Sequence, residues 1–387
     1  MNYATEQRDR GFSLLELMVA VALGLMLLGA ATQLFKAGLN TSSVISNRTE
    51  MQQNLRAAVD LISKDVSMAG AGLPAGGLQL PTGAGATASR IGCSQTPTCY
   101  LTNSKYANGT VGAAPAVTLA NYMFGIIPGS ANGMESGGPT TIAATGSTPD
   151  AMTSVYVDFA PQFNLFIAQF LNPNGTQLTL TAPSPMPATL LPATDPGTGI
   201  KVGDLLLITT SKGSAVGEVS VVTPLNVTGA TITFTNLDPL NINQTGAAIG
   251  NIANIVPLPA PPVPVVPPAT LPLVTVQRLQ VISYFIEVPS VGLPRLMRQV
   301  NGNTAQPVAD NIIDMQFSYD LCDTGYAVTT CATTQDPIAA AQSPIQIHKV
   351  NIQLMGQSLV SNGKTWQSMQ LSSAVSTRNL TFRDRYK

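Results

Sequence analysis

The sequence predicts an α+β fold, in which one long N-terminal helix packs on an antiparallel β-sheet with large loop and strand insertions. Two observations predict this arrangement. Residues 12–72 lack proline. They begin with a continuous apolar run and continue with apolar residues that recur at helical spacing. The last third of the chain alternates apolar and polar residues in several runs. Short connections without a helical pattern join these runs, which is typical of antiparallel strands.

The first half of the predicted helix, residues 12–35, is apolar enough to cross a membrane. No polar side chain occurs from Leu17 to Ala31. A helix of this length would rise about 36 Å, against a hydrocarbon core of about 30 Å. Glu16 is the one acid in the run. Because a carboxylate at the bilayer centre costs roughly 2.5–3.5 kcal/mol, an acid even near one end of the run requires a specific reason.

The second half, residues 36–72, is predicted to be an amphipathic helix that packs one stripe against a globular domain. Its apolar residues recur at steps of three and four, whereas polar residues such as Arg56 and Lys64 lie on other faces. The predicted stripe consists of Met51, Leu55, Ala58, Val59, Ile62 and Val66. Residues Gly70, Gly72 and Pro74 are expected to end the helix.

Residues 73–387 are expected to form a β-rich globular domain. Residues 73–150 are rich in Gly, Ala, Pro, Thr and Ser and indicate loops. Beyond them, β-branched or alternating runs between Gly, Pro and Asn predict strands. These are Ser154–Phe159, Leu165–Phe170, Gln177–Thr181, Asp204–Thr209, Glu218–Val222, Thr231–Thr235, Val276–Glu287, Arg295–Val300, Ile312–Tyr319 and Ile345–Leu354. Asn301-Gly302 is a tight-turn signal. The eight prolines of residues 256–272 predict a polyproline II spacer or surface loop.

Composition excludes one class of partner. Charged residues make up 10% of the 387 residues and the net charge is −1, against a usual charged fraction of about 25%. Because a nucleic-acid interface needs clustered lysine and arginine, no nucleic-acid partner is expected. The length is enough for a sizeable core and for two lobes.

The four cysteines fall into two close pairs that are far apart in sequence, Cys93 with Cys99 and Cys322 with Cys331. Disulfides are plausible in an oxidising compartment beyond a membrane. Three pairings are possible, and we favour Cys93–Cys99 and Cys322–Cys331 because each closes a short loop. Four free buried thiols are the alternative. A zinc site is not expected, because neither pair has the spacing of a zinc ligand pair.

The residues offer little for catalysis, so an enzyme, a metal site and a cofactor are not expected. His348 is the only histidine. The sequence has no G-x-S-x-G motif, the nucleophile elbow of serine hydrolases, to accompany it. Gly363-Lys364-Thr365 resembles the end of a phosphate-binding loop, but Ser358 stands where its first glycine should be. Oxygen-bearing candidates for calcium are Asp238, Asn241, Asp320 and Asp323. Their spacing does not match a calcium-binding loop, and turn chemistry accounts for them better.

The start of the apolar run resembles the class III signal of type IV pilins and type II secretion pseudopilins. It reads Gly11-Phe12-Ser13-Leu14-Leu15-Glu16-Leu17-Met18-Val19-Ala20 and follows a short charged peptide. The resemblance implies that a prepilin peptidase cleaves between Gly11 and Phe12 and that the new amino terminus of Phe12 is N-methylated. Glu16 matches the pilin glutamate that pairs with the terminal amine of a neighbouring subunit.

Of two simpler interpretations of this segment, one remains an alternative. A plain signal anchor accounts for the apolar run but not for Glu16 or for the Gly11-Phe12 junction. A secretory signal peptide is rejected, because the apolar segment exceeds the usual 7–15 residues. The resulting division is a leader at 1–11, a membrane or filament-core helix at 12–35, an amphipathic helix at 36–72 and the domain at 73–387.

Loosely matching segments along the rest of the chain resemble the PilW family of type IV pilus minor pilins. The chain departs from that pattern near residues 75–150 and in the proline-rich insert. The segments are Leu61–Gly70, Lys201–Ile208, Ser283–Ile286, Leu293–Arg298, Pro307–Asp320 and Ser376–Leu380.

This resemblance implies a structural protein that primes pilus assembly, and hence twitching motility and cell adhesion, at or near the pilus tip. Its implied partners are the prepilin peptidase, other minor pilins, the major pilin and the inner-membrane assembly platform. The implied location is the inner membrane, with one span and the bulk in the periplasm, and then the pilus. Rival interpretations are a J-type minor pseudopilin of type II secretion and a pilus-borne adhesin that binds through residues 75–270. A membrane-anchored hydrolase is a weaker rival, because there is one histidine.

Overall fold

The long helix α1 (Leu14–Met68) packs its C-terminal part against antiparallel sheets, which makes this an α+β protein. The computed structural model describes residues 13–74, 76–87, 122–130, 133–136, 148–187, 190–236, 238–257, 274–289, 294–322, 333–335, 343–358 and 367–380.

Helix α1 agrees with the sequence prediction at its C-terminal end and along its buried stripe. It ends at Met68. Gly70 and Gly72 follow with φ angles of 80° and 74°, a left-handed conformation that glycine adopts at low cost. All six predicted stripe residues are buried, whereas residues 13–43 are exposed. Tertiary packing therefore holds the last third of the helix, and the rest projects from the globular part.

The regular elements of the described globular part are mainly strands. In chain order they are β1 (Leu78–Gln79), β2 (Tyr122–Met123), β3 (Ile126–Gly129), β4 (Met134–Ser136), β5 (Ala151–Asp158), β6 (Ile167–Phe170), β7 (Gln177–Thr181), β8 (Leu205–Thr210), β9 (Gly213–Glu218), β10 (Val221–Pro224), β11 (Ala230–Thr233), β12 (Thr275–Val288), β13 (Arg295–Val300), β14 (Gln306–Asp310), β15 (Ile312–Leu321), β16 (Thr333–Gln335), β17 (Ile347–Gln357) and β18 (Ser368–Ser376). A short helix, α2 (Ile252–Ile255), precedes β12.

The central sheet is organised around β12, the longest of the described strands. One edge of β12 pairs first with β8 and then with β13, and the other edge pairs with β5 and then with β4. Strand β3 extends the sheet from β5, β9 from β8, and β14 from β13. Two four-stranded antiparallel sheets have the orders β16-β15-β17-β18 and β10-β11-β7-β6, and β1 pairs with β2.

Helix α1 packs against one side of this assembly. The core cluster that contains its buried stripe also includes Tyr284 and Leu296 of the central sheet and Phe317 and Ile352 of the β15–β17 sheet. Two further clusters lie on the other face of the central sheet and under β6, β7 and β11. The helix contributes to the first cluster and not to these two, so it is anchored at one face of the domain.

Several sequence predictions need correction. Residues 73–150 were expected to be loops but contain β1 to β4, and β4 pairs with β12 in parallel. The strand predicted at Glu218–Val222 is wrong, because the chain leaves the central sheet after Glu218 and joins the sheet of β11 at Val221. The other predicted strands are confirmed to within a few residues, and Asn301-Gly302 forms a turn with φ angles of 50° and 75°.

Candidate assembly helix and its anchor

The N-terminal end of α1 is held by a reciprocal side-chain cap. The Ser13 Oγ accepts hydrogen bonds from the Leu15 and Glu16 backbone N–H groups at 3.2 and 3.4 Å. The Glu16 Oε2 accepts one from the Ser13 N–H at 3.3 Å. This capping box satisfies otherwise free donors of the first turn. It also places the Glu16 carboxylate where the helix dipole favours negative charge.

The position of Glu16 is therefore defined by local geometry, whereas Gly11 and Phe12 lie outside the described residues, as does the leader peptide. Glu16 is exposed. Within the described part of the chain, its carboxylate accepts the one hydrogen bond from Ser13. The remaining capacity of the two carboxylate oxygens is open to a group from outside the fold.

Beyond Glu16, α1 exposes a continuous apolar surface. The exposed fractions of Leu14, Met26 and Phe35 are 79, 75 and 69%. The most apolar 18-residue window has a mean hydropathy of 2.3 and none of it is buried. Among the described residues, α1 is the one helix long and apolar enough to cross a membrane, judged by length and composition. Such a surface requires lipid or other apolar helices around it, so the helix fits membrane anchoring.

At its other end, α1 is fixed to the central sheet by Asp65, whose exposed fraction is 3%. The Tyr284 hydroxyl of β12 donates to Asp65 Oδ2 at 2.5 Å, and Arg298 Nε of β13 donates to the same oxygen at 3.0 Å. The Tyr156 hydroxyl of β5 donates to Oδ1 at 3.4 Å. A buried carboxylate is tolerated only when it is paired and hydrogen-bonded. Three adjacent strands therefore bind one helical side chain.

The two phenols and the guanidinium of this network have raised pKa values. Burial, and then the negative charge of Asp65, raises the pKa of Tyr156 to about 12, and the same causes raise the pKa of Tyr284 well above its usual value. For Arg298, burial lowers the pKa, but the hydrogen bond and charge of Asp65 outweigh it, and the net shift is upward. Both phenols therefore remain donors and the guanidinium remains charged at neutral pH.

The C-terminal segment reinforces the same end of the helix. Asn379 Nδ2 donates to the carbonyl oxygens of Ser67 and Met68 at 3.2 and 3.4 Å. These belong to the last turn, where helix carbonyls lack intrahelical donors. Leu380 packs over Gly70, where a Cβ would lie 2.6 Å from the Leu380 Cδ2. Asn379 and Leu380 thus supply a cap and an apolar contact.

This anchor brings together segments that, in the sequence, separately resemble the PilW family. Asp65, Tyr284, Arg298 and Asn379 belong to four of those segments, but their contacts were not predicted. One signal was available, because Asp65 interrupts the apolar stripe in the last turn of a helix, where the dipole disfavours an acid. The partners could not be predicted, because they lie far from Asp65 in sequence. Tyr284 is 219 residues away and Arg298 is 233 residues away.

The remaining predicted sites are distributed over the domain. His348 lies half-buried on β17, as predicted. Asp238 accepts the Ile242 and Asn243 backbone N–H groups, and Asp320 is paired with Lys349. Asp238 therefore caps a turn, whereas Asp320 lies on β15 and forms an ion pair, so the prediction of turn chemistry is wrong for Asp320. The described residues contain no group of three His, Cys, Asp or Glu residues that could hold a metal ion. Asp323 and residues 359–366 lie outside the described part.

The cysteine pairing stays a prediction. Cys322, at the end of β15, is disulfide-bonded. Cys93, Cys99 and Cys331 lie outside the described residues, as do residues 258–273 of the proline-rich segment. Neither the preferred pairing nor the polyproline II conformation is therefore tested by the structure.

Residues 7–32 match the family model described as the prokaryotic N-terminal methylation motif. No curated protein and no solved structure matches the chain. The matched region includes Gly11, Phe12 and Glu16 and extends into the exposed apolar half of α1. It supports a pilin or pseudopilin, with processing by a prepilin peptidase and a pilus or secretion assembly as its context.

Proposed function

We propose that this chain is a minor pilin of a type IV pilus that primes assembly with other minor pilins at or near the pilus tip. The single observation that carries the proposal is the exposed apolar helix with Glu16 in its first turn, directly within the methylation motif. An exposed apolar helix with one acid suits repeated helix packing. A helix that served only as an anchor would gain nothing from the acid.

The proposed mechanism is register selection by charge. Cleavage after Gly11 would free the amine of Phe12, one residue before the Ser13 cap. The amine and Glu16 are then separated by about 6 Å of helix rise. A neighbouring subunit that is shifted along the axis by this distance would place its amine against the Glu16 carboxylate. Because an unpaired buried charge is costly, that register is favoured over others, as a buried polar residue selects register in coiled coils.

The proposed role is structural and not catalytic. The PilW-like segments support a minor pilin, because four of them meet in the anchor that couples α1 to the sheets. A helix that is fixed at three strands can transmit its position in a filament to the large domain. We propose that this domain, exported to the periplasm and then to the cell surface, makes the lateral contacts with other minor pilins.

The test compares Glu16→Ala with Glu50→Ala, a matched change at an exposed acid of the same helix. Each variant replaces the chromosomal copy, and immunoblots of the membrane fraction and of sheared surface filaments are compared. We expect both variants to reach the membrane, and Glu16→Ala to lower surface pili at least tenfold. Normal piliation with Glu16→Ala would contradict the register mechanism.

Two further measurements separate the proposal from its nearest rival. Mass spectrometry of the purified protein should find a chain that begins at N-methylated Phe12; a chain that keeps Met1, in cells that process their other pilins, would reject it. Deletion of the gene should abolish pili and twitching. Loss of protein secretion with normal pili would instead identify a J-type minor pseudopilin, which would share the processing.

A further inference from the structure

Two buried carboxyl groups face each other at a distance from the helix anchor. Glu218 ends β9, and Asp238 lies in the loop after β11; their exposed fractions are 4 and 8%. Both side chains accept from the backbone of the same short turn: Glu218 from the Leu240 N–H at 3.4 Å and Asp238 from the Ile242 N–H at 2.8 Å. A hydrogen bond between the two carboxyl groups contributes to the raised pKa of Glu218. Two carboxylates cannot accept a hydrogen bond from one another, so one member of the pair must be protonated.

The surrounding donors decide which member keeps the charge. Asp238 accepts the Ile242 N–H at 2.8 Å and the Asn243 N–H at 2.7 Å, and these donors stabilise a carboxylate. Glu218 receives one longer bond, from the Leu240 N–H at 3.4 Å. The geometry therefore makes Glu218 the protonated donor and Asp238 the acceptor.

The pair lies at the base of a loop that connects distant parts of the chain. The Asn243 side chain accepts the Glu218 N–H at 2.9 Å and donates to the Glu218 carbonyl oxygen at 2.7 Å. The next residue, Gln244, exchanges two hydrogen bonds with the Thr87 backbone, each 2.7 Å long. Residues 238–244 thus hold the segment before residue 88 against the central sheet.

We propose that protonated Glu218, donating to Asp238, forms a pH-sensitive latch that closes the 238–244 loop on β9 and on residues 82–87. When Glu218 loses its proton to solvent, two carboxylates face each other in a buried site and repel. The loop then opens, so that water can solvate both charges, and the Thr87 contacts are released. The latch does not depend on the proposed function of the chain.

The direction of the pH effect follows from the raised pKa of Glu218. Burial, and then the hydrogen bond and charge of Asp238, raises the pKa of Glu218 from 4.5 to about 8. The closed state therefore binds more protons than the open state between these values, and it loses stability as pH rises through that window. The neighbouring Asp204 of the β9–β8 region is paired with Arg278 at 3.1 Å. Within the described residues, Asp238 is the charged group that acts on Glu218.

Hydrogen exchange of the full chain in detergent micelles, read by mass spectrometry, tests the latch. Peptides that cover 236–250 and 80–87 are compared from pH 5 to pH 9 after correction for intrinsic exchange rates. One proton lost per opening event raises the opening constant up to tenfold per pH unit. We expect protection of both peptides to fall by that factor up to about pH 8 and then to level off, while β17 peptides stay unchanged.

The informative variant is Glu218→Gln, whose amide can still donate to Asp238 but does not titrate. It should keep protection high and independent of pH. Glu287→Gln is the matched control, because Glu287 pairs with Arg295 elsewhere in the sheet, and it should behave as wild type. A wild-type profile without pH dependence overturns the latch, and so does a Glu218→Gln profile that still falls with pH.

Discussion

Removal of the Asp65 carboxylate should weaken the attachment of α1 to the central sheet. The Asp65→Ala variant leaves Arg298 without its partner and removes the acceptor of the Tyr284 hydroxyl. Breaking a buried pair costs about 3–5 kcal/mol. Because the Arg298 side chain keeps 26% of its surface exposed, water can solvate part of its charge. We therefore expect the free energy of unfolding to fall by about 3 kcal/mol, the lower end of this range.

Urea unfolding of the full chain in micelles, followed by near-ultraviolet circular dichroism, measures this loss. The signal reports the packing of tyrosines, two of which contact Asp65. Asp60→Ala is the matched control, because Asp60 lies on the exposed side of the same helix. We expect it to change stability by less than about 0.5 kcal/mol.

A double-mutant cycle separates the ion pair from general damage to the helix. Arg298→Met keeps most of the side-chain volume and removes the charge. If the pair acts as a unit, the double variant should lose at least about 1 kcal/mol less than the sum of the two single changes. Additive losses, or a loss for Asp65→Ala no larger than that for Asp60→Ala, would refute the anchor.

Two further outcomes follow from the same end of the helix. Gly70→Ala should lose about 2 kcal/mol in the same assay, because a Cβ would meet Leu380 and a left-handed conformation costs about 1–2 kcal/mol. Gly76→Ala, with a φ of 88° and open space around it, should lose only the conformational part. In alkaline solution, the raised pKa of Tyr156 means that the unfolded chain ionises first. Unfolding titrations should therefore show stability falling between about pH 10 and pH 12, and less steeply for Tyr156→Phe.

The elements that could be predicted from the sequence are those that local periodicity determines. The stripe from Met51 to Val66 repeats at helical spacing, and β15 alternates apolar residues that are buried on one face. Strand β3 was missed because its sequence, Ile126–Gly129, contains proline and glycine, and its conformation depends on pairing with β5. Strand β14 was also missed, because it contains Pro307. It is an edge strand of the central sheet, where proline is tolerated.

The candidate site likewise contains one residue with local interactions and one with non-local interactions. Glu16 was found because its neighbours in sequence form a short motif, and the Ser13 cap is a local interaction. The partners of Asp65 are non-local, since strands β5, β12 and β13 bring them together only after the central sheet has formed. No spacing rule within the helix contains that information. The sequence shows an acid in an apolar stripe, but the strands of the sheet supply the groups that compensate its charge.

Two of the four acids of α1, Glu16 and Asp65, illustrate how the fold distributes its charges. Asp65 receives two phenol hydroxyls and a guanidinium from its own chain, so folding alone compensates its charge. Glu16 receives, within the described residues, one backbone N–H from Ser13, and the helix around it is exposed and apolar. About 74 Å of helix separates them. Because only the Glu16 end is left with unused acceptor capacity in apolar surroundings, a positive group from a neighbouring molecule gains most by binding there. We therefore expect substitutions at Asp65 to lower the stability of the isolated chain, and substitutions at Glu16 to leave that stability unchanged while assembly is lost.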